Sequence, residues 1–310
     1  NTLENKLLAY TDNYANEIQV TRSGRIVASV GSFSRMNVKK VANQVTNATT
    51  HNEPVFSSNR NETLAEANPL PEGPTAVVSR RSGLPQVWLF YPGGEQKQIT
   101  FFEKSERFRS LVFSPNGADL LAQINNEIWL LSDSKAPVRL SEKSDNLISQ
   151  PAWSFDGQRI YYAESKSGRW HIVSHEVSDN LLTPAVFAVD RELYIESYDG
   201  KYSIWRDAIS KKFYMQRFDA QAPHELPISL PDNQAWLKLQ TTETGIYFAY
   251  LVDEIKYSLK YYSFETNKIT DAVALDYLYH SRFSLTPDEK FIYILEAVRG
   301  DFDVASLMLP

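Results

Sequence analysis

Histidine, cysteine, serine and the carboxylates are the side chains that could carry covalent or metal-assisted chemistry, and their placement in these 310 residues argues against it. Cysteine is absent, which removes disulfides, thiolate metal sites and a thiol nucleophile together. Five histidines occur: His51, His171, His175, His224 and His280. His171 and His175 stand four apart, a spacing that would align two imidazoles on a helix. On a strand it separates them by about 13 Å, too far for one shared metal ion. No Gly-x-Ser-x-Gly elbow is present to expose a serine nucleophile. Carboxylates such as Asp253, Glu254, Asp301 and Asp303 are plentiful, yet a glycosidase needs two of them held across a cleft, and spacing along strands does not report that distance. The expectation is a chain that is not an enzyme, with no cofactor and no metal.

Recognition chemistry is better represented. Arg109, Gln150, Trp236, Lys238, His280 and Arg282 combine cations, an amide, an indole and an imidazole, and each precedes one of a series of similar turns. Those turns read Ser114-Pro115-Asn116-Gly117, Ser154-Phe155-Asp156-Gly157, Ser197-Tyr198-Asp199-Gly200, Thr242-Glu243-Thr244-Gly245 and Thr286-Pro287-Asp288-Glu289, with fourth positions 40, 43, 45 and 44 residues apart. Stepping back by the same period reaches Gly73 and then Gly24, giving seven turns near 24, 73, 117, 157, 200, 245 and 289. Asn, Asp and Gly tolerate the left-handed backbone of a tight reversal, and Ser or Thr bonds across it, so the turn is architectural first.

An alternating or apolar strand follows each turn and a second comes about a dozen residues later, with 36–41 as a weaker copy in the first repeat. Short segments such as Lys97-Gln98-Ile99-Thr100 close most units. A four-stranded unit of this length buries its faces only against neighbours set radially around an axis, which is a propeller blade. The fold class expected is therefore all-β: one seven-bladed β-propeller over 1–310, with six or eight blades as alternatives. Because the last repeat stops after its third strand, the segment 6–10 is expected to close the ring. The polar stretch 46–71 reads as a long surface loop.

In such a ring the innermost strands precede the turns and line a central channel. They are expected at 107–113, 149–153, 235–239 and 279–283, which places the six candidates at a channel mouth. Arg109, Lys238 and Arg282 would make that mouth basic, suited to a small anionic ligand or an acidic partner, although the whole chain carries a net charge of −6. That acidic balance argues against non-specific nucleic-acid binding. No run of about 18 apolar residues marks a membrane span. The chain starts at Asn1 without a methionine, so any targeting or anchoring segment is expected upstream.

The stretches FSPNGADLLAQ, WSFDGQRIYYAE and LTPDEKFIYILE resemble the repeats of TolB-type, WD40-like bacterial propellers, over residues 107–310. The closing FSLTPDEKFIYILEAVRGDFDVASLML is similar to the last blade in the periplasmic domains of CadC/ToxR-like, membrane-spanning winged-helix transcriptional regulators. That resemblance implies a non-catalytic periplasmic sensor, joined to the inner membrane only through an upstream segment and signalling through a homodimer. The alternative is a TolB-like periplasmic scaffold that holds an envelope protein or peptide; a propeller lyase or glycosidase is the catalytic alternative.

Overall fold

Short strands dominate because β-branched and aromatic residues alternate along most of the chain and Ser/Thr-x-Asp/Asn-Gly turns interrupt them every few dozen residues. The computed structural model describes residues 14–23, 25–31, 34–48, 53–54, 61–142, 145–177, 184–230, 238–253, 256–275, 278, 282–299 and 302–308. Its strands form six antiparallel sheets of four strands and one of three.

The six four-stranded sheets are the blades. From the innermost strand outward, blade 1 is Glu62–Glu66, Thr75–Ser82, Leu84–Phe90 and Gln96–Gln98, and blade 2 is Phe108–Phe113, Asp119–Ile124, Glu127–Ser132 and Val138–Arg139. Blade 3 is Leu147–Trp153, Arg159–Lys166, Arg169–Glu176 and Ala185–Val189. Blade 4 is Arg191–Glu196, Tyr202–Asp207, Phe213–Arg217 and His224–Glu225, and blade 5 is Leu239–Thr241, Gly245–Asp253, Lys256–Ser263 and Ile269–Asp271. Blade 6 joins the two ends of the chain: Phe283–Leu285 and Phe291–Arg299 come from the C-terminal side, Ser34–Ala42 and Glu53–Pro54 from the N-terminal side.

The ring therefore has six blades, and the expectation of seven is corrected. The turn near residue 24 is a real hairpin, closed by Thr21 N–H donating to the Arg25 carbonyl at 2.8 Å, but it lies outside the ring. It joins Tyr14–Val20 to Arg25–Gly31, which pairs with Phe302–Met308 in the three-stranded sheet. The physical reason is a shared register. Arg299 faces Ser34 in blade 6 and Phe302 faces Gly31 in the extra sheet, so one long antiparallel ladder runs through both. The strand expected at 303–309 would have been the third of the last blade, but its described part, within Phe302–Met308, belongs to the extra sheet instead. Segment 36–41 is a third strand, but of blade 6. The stretch 46–71 is not a plain loop, since it supplies the outer strand of blade 6 and the inner strand of blade 1. The segment 6–10, assigned to closure, lies outside the described residues.

Packing repeats with the blades. Among the described residues six apolar clusters occur, one at each joint of the ring. Successive residues of a strand face opposite neighbours: Leu120 and Ala122 pack toward blade 1, while Leu121 packs toward blade 3. Among the described residues the joint between blades 6 and 1 is the sparsest, with Val38, Val77 and Leu295 as its buried members.

Candidate functional site: the central cavity

The turns set the geometry of one face. Ser114, Ser154, Ser197 and Thr286 each donate their hydroxyl to the carboxylate or amide two residues on, at 2.6–2.7 Å. Gly117, Gly157 and Gly200 then take φ near +70°, a region costly for any residue with a Cβ. They also leave room for the preceding blade. A Cβ on Gly200 would lie 2.5 Å from the Phe155 ring, and one on Gly117 would lie 2.2 Å from the Asn68 amide oxygen. At these two turns the glycine thus seats a side chain of the preceding blade.

The inner strands are clasped all the way round by hydrogen bonds between side chains and backbone. Asn68 Nδ2 donates to the Gly117 carbonyl, Trp153 Nε1 to the Val112 carbonyl, and Phe155 N–H to the Glu196 carboxylate, at 2.9, 3.1 and 3.0 Å. Thr241 Oγ1 donates to the Glu196 carbonyl at 3.3 Å, Leu285 N–H to Gln240 Oε1 at 3.2 Å, and Ala67 N–H to Ser284 Oγ at 2.9 Å. Together these join all six neighbouring pairs of blades at the axis.

Inside this collar is a cavity of about 660 Å³, lined by residues from the inner strands of all six blades. That size is in the range of ligand sites, about 300–1,000 Å³. Leu111, Leu193, Leu239 and Phe283 back its wall, their side chains buried in the joints between blades. Its rim is made by residues that follow the turn Ser or Thr: Pro115, Phe155, Tyr198, Glu243 and Pro287. Phe155 and Tyr198 remain 48% and 62% exposed there. Glu196, Glu243 and Glu289 give the rim an acidic character, and burial, with Glu243 nearby, holds the Glu289 carboxyl above its ordinary range.

The opposite end is cationic. Arg282 leaves blade 6 and crosses the bore, donating through Nη1 to the Thr63 carbonyl of blade 1 at 2.8 Å and through Nη2 to the Phe108 carbonyl of blade 2 at 3.2 Å. Burial, then the like charges of Arg107 and Arg109, lower its pKa to about 10. Arg109 Nε donates to the Asn125 carbonyl at 2.8 Å, and burial followed by Arg107 lowers its pKa. Lys238, ahead of blade 5, also crosses the bore, to an ion pair with Glu66 of blade 1, and its ammonium sits 5.7 Å from the centre of the Phe283 ring. Burial raises the Glu66 carboxyl above its ordinary range, while the charge and hydrogen bond of Lys238 pull it back.

Three of the six candidate residues, Arg109, Lys238 and Arg282, therefore meet at one cavity. Lys238 is not the open cation expected, because Glu66 neutralises it. Gln150 lies on the innermost strand of blade 3, at a bulge between Ser149 and Ala152. Trp236 and His280 lie outside the described residues. The inner strands of blades 5 and 6 begin at Leu239 and Phe283, where the expected strands ended. Their true extent is set by pairing with Gly245–Asp253 and Phe291–Arg299 rather than by local pattern.

Sequence reasoning missed Glu66 and read the rim residues only as turn formers. The available signal was positional: the residue after the turn Ser or Thr varies among Pro, Phe, Tyr and Glu while its neighbours stay alike. His171 and His175 share the third strand of blade 3, and His175 packs against Tyr162, its Nε2 lying 3.3 Å from the phenol oxygen.

No protein family matches this chain by sequence, and no curated protein does. Solved structures do match in shape. A putative TolB from Agrobacterium tumefaciens superposes with a TM-score of 0.63 at 12% identity, covering 86% of this chain and 99% of that one. TolB from Acinetobacter baumannii gives 0.53 at 16% identity, covering 92% and 81%. A chain of a nidogen/laminin complex gives 0.55 at 8% identity, covering 84% and 98%. At these identities the likeness is one of fold, and the fold of this chain is that of a TolB-like β-propeller.

Proposed function

We propose that this chain is a non-catalytic, periplasmic protein-interaction propeller that receives a segment of a partner at the rim of the central cavity. The observation that carries the reading is the pair Phe155 and Tyr198, large aromatic side chains held exposed on the edge of a preformed cavity. Interface hot spots favour aromatic anchors beside pockets. The TolB-like fold supports a protein-interaction propeller. A non-enzymatic role also agrees with the ionisable groups deep in the cavity. Glu66 and Lys238 are committed to each other, and Arg282 is anchored to two backbone carbonyls.

A photo-reactive residue placed at position 198 tests this in an envelope preparation. A discrete protein adduct is expected there, diminished about tenfold by Phe155→Ala. Position 209 provides the control, because Ile209 is 78% exposed at a turn between the second and third strands of blade 4, on the opposite face. Equal labelling at 198 and 209, or none at 198, would overturn the proposal. Service as the sensor of a membrane-bound regulator would use the same rim and add a change of association. A partner that converts the chain from monomer to dimer in sedimentation would favour that role over a passive scaffold.

A further inference from the structure

Among the described residues, the outermost strand of every blade has one edge with no partner strand. Such an edge templates pairing with another chain unless it is blunted. Five of the six are short and charged. Glu53–Pro54, Gln96–Gln98, Val138–Arg139, His224–Glu225 and Ile269–Asp271 run for two or three residues, and each carries a formal charge, at Glu53, Lys97, Arg139, Glu225 and Asp271. Blade 3 differs. Its outer strand, Ala185–Val189, is five residues of Ala-Val-Phe-Ala-Val without charge or proline, and Val186, Phe187 and Val189 are 64%, 41% and 49% exposed.

This strand is fixed in place. Arg169 donates to both carboxylate oxygens of Asp190, just beyond the strand's end, at 2.7 and 2.6 Å, and the Asp190 N–H donates to the Trp170 carbonyl at 2.8 Å. Phe187 packs toward blade 4, its ring centre 5.1 Å from that of Tyr161 and 5.0 Å from that of Tyr194. Because Asp190 bonds inward to Trp170, Val189, opposite His171, turns its main-chain N–H and C=O to the free edge. Val186 faces Val173, two residues on from His171, and does the same. The bulge at Phe187 lies between them, yet Val186 and Val189 stay in register with residues two apart, so their outward groups keep the spacing of a regular strand.

We propose that Ala185–Val189 is a self-association edge, at which a second copy of this chain pairs antiparallel about a two-fold axis. Val186 of one copy then faces Val189 of its partner on both sides of the axis, so apolar side chains meet apolar ones and the outward main-chain groups of the two strands bond each other. Charge favours a second copy here and at no other blade. The chain carries a net charge of −6, and self-pairing at any of the other five edges would bring like charges together, whereas this strand brings none. With one such edge per chain, pairing closes at a dimer instead of propagating. A five-residue strand buries little area, so the dimer is weak and reversible, half-formed at about 10–100 µM. The contact lies on the outer wall of blade 3 and does not rest on the rim reading.

Sedimentation velocity of the intact chain from about 1 to about 200 µM is expected to show a monomer–dimer equilibrium. Val186→Lys supplies the charge that the other edges carry and should weaken association at least about tenfold. Val186→Pro removes an outward N–H without touching the bonds to blade 3, should have the same effect, and serves if the lysine disturbs folding. Ile209→Lys, at a side chain 78% exposed on a blade 4 turn, should leave association unchanged. The chain has no cysteine, so Val186→Cys and Val189→Cys each introduce a single thiol. Mixed under mild disulfide exchange, these two variants are expected to cross-link several-fold faster than either alone, because only the mixture places the thiols opposite each other. A monomer throughout the range would leave the edge to a strand of a different protein and overturn the proposal. So would a dimer that survives both Val186 variants, or one that Ile209→Lys weakens equally. Cross-linking no faster in the mixture than in either variant alone would overturn the antiparallel two-fold pairing.

Discussion

Lys238 and Glu66 face each other across the bore from blades that are not neighbours, and their ion pair is mostly withdrawn from water. Removing one partner of such a pair strands the other charge. Burial already holds Glu66 above the ordinary carboxylate range, and Lys238 is what restrains it. An acid shifted upward on folding favours the folded state fully below its unfolded pKa and loses that advantage as pH rises through its folded value. Lys238→Met is therefore expected to cost about 2–4 kcal/mol at pH 8 and much less near pH 4, measured by urea unfolding across pH. The double variant Glu66→Gln with Lys238→Met should recover most of the loss. A pH-independent cost would show that Lys238 acts through packing rather than charge. None of this pairing was visible from spacing, because the two residues are 172 apart in sequence.

At the scale of the element, the repeated turn combines a hydroxyl that bonds across the reversal with a left-handed residue, and at Gly117 and Gly200 adds a vacant Cβ position where the preceding blade rests. Gly200 meets the last two at once, with φ of +67° and the Phe155 ring over it. Gly94 makes a fair comparison, since its φ is +88° but nothing lies within 4 Å of its Cβ position. Gly94→Ala should cost about 1 kcal/mol from backbone strain alone, and Gly200→Ala about 2–3 kcal/mol because the ring must also be displaced. In a Phe155→Ala background the excess at Gly200 should vanish, which thermal unfolding of the four variants would measure. The hydrogen-bonding role of the turn was legible from its Ser, Asp and Gly. Its seating role was not, because the residue it seats belongs to another repeat.

For the whole molecule, closure depends on two strands from each end of the chain meeting in blade 6. The extra sheet of Tyr14–Val20, Arg25–Gly31 and Phe302–Met308 extends the same ladder but adds no blade. Removing residues 1–31 together with 302–310 is expected to leave a cooperatively melting ring. Removing 1–42 takes away the third strand of blade 6 and should abolish cooperative unfolding by circular dichroism. Hydrogen exchange should be fastest at the joint of blades 6 and 1, where the apolar cluster is smallest. Protection there equal to that at the joint of blades 1 and 2 would contradict this account. The all-β class, the four-stranded repeat, the turns and the basic residues beside the axis are legible in the amino-acid sequence, because they follow from local periodicity and backbone chemistry. That six of the seven turns belong to the ring, that the chain ends interleave in one blade, that Glu66 neutralises Lys238, and that Arg109 and Arg282 share a cavity with Phe155 and Tyr198 depend on contacts between distant segments. A hairpin outside the ring and one inside it have the same local pattern, and they differ only in which distant strand pairs with them.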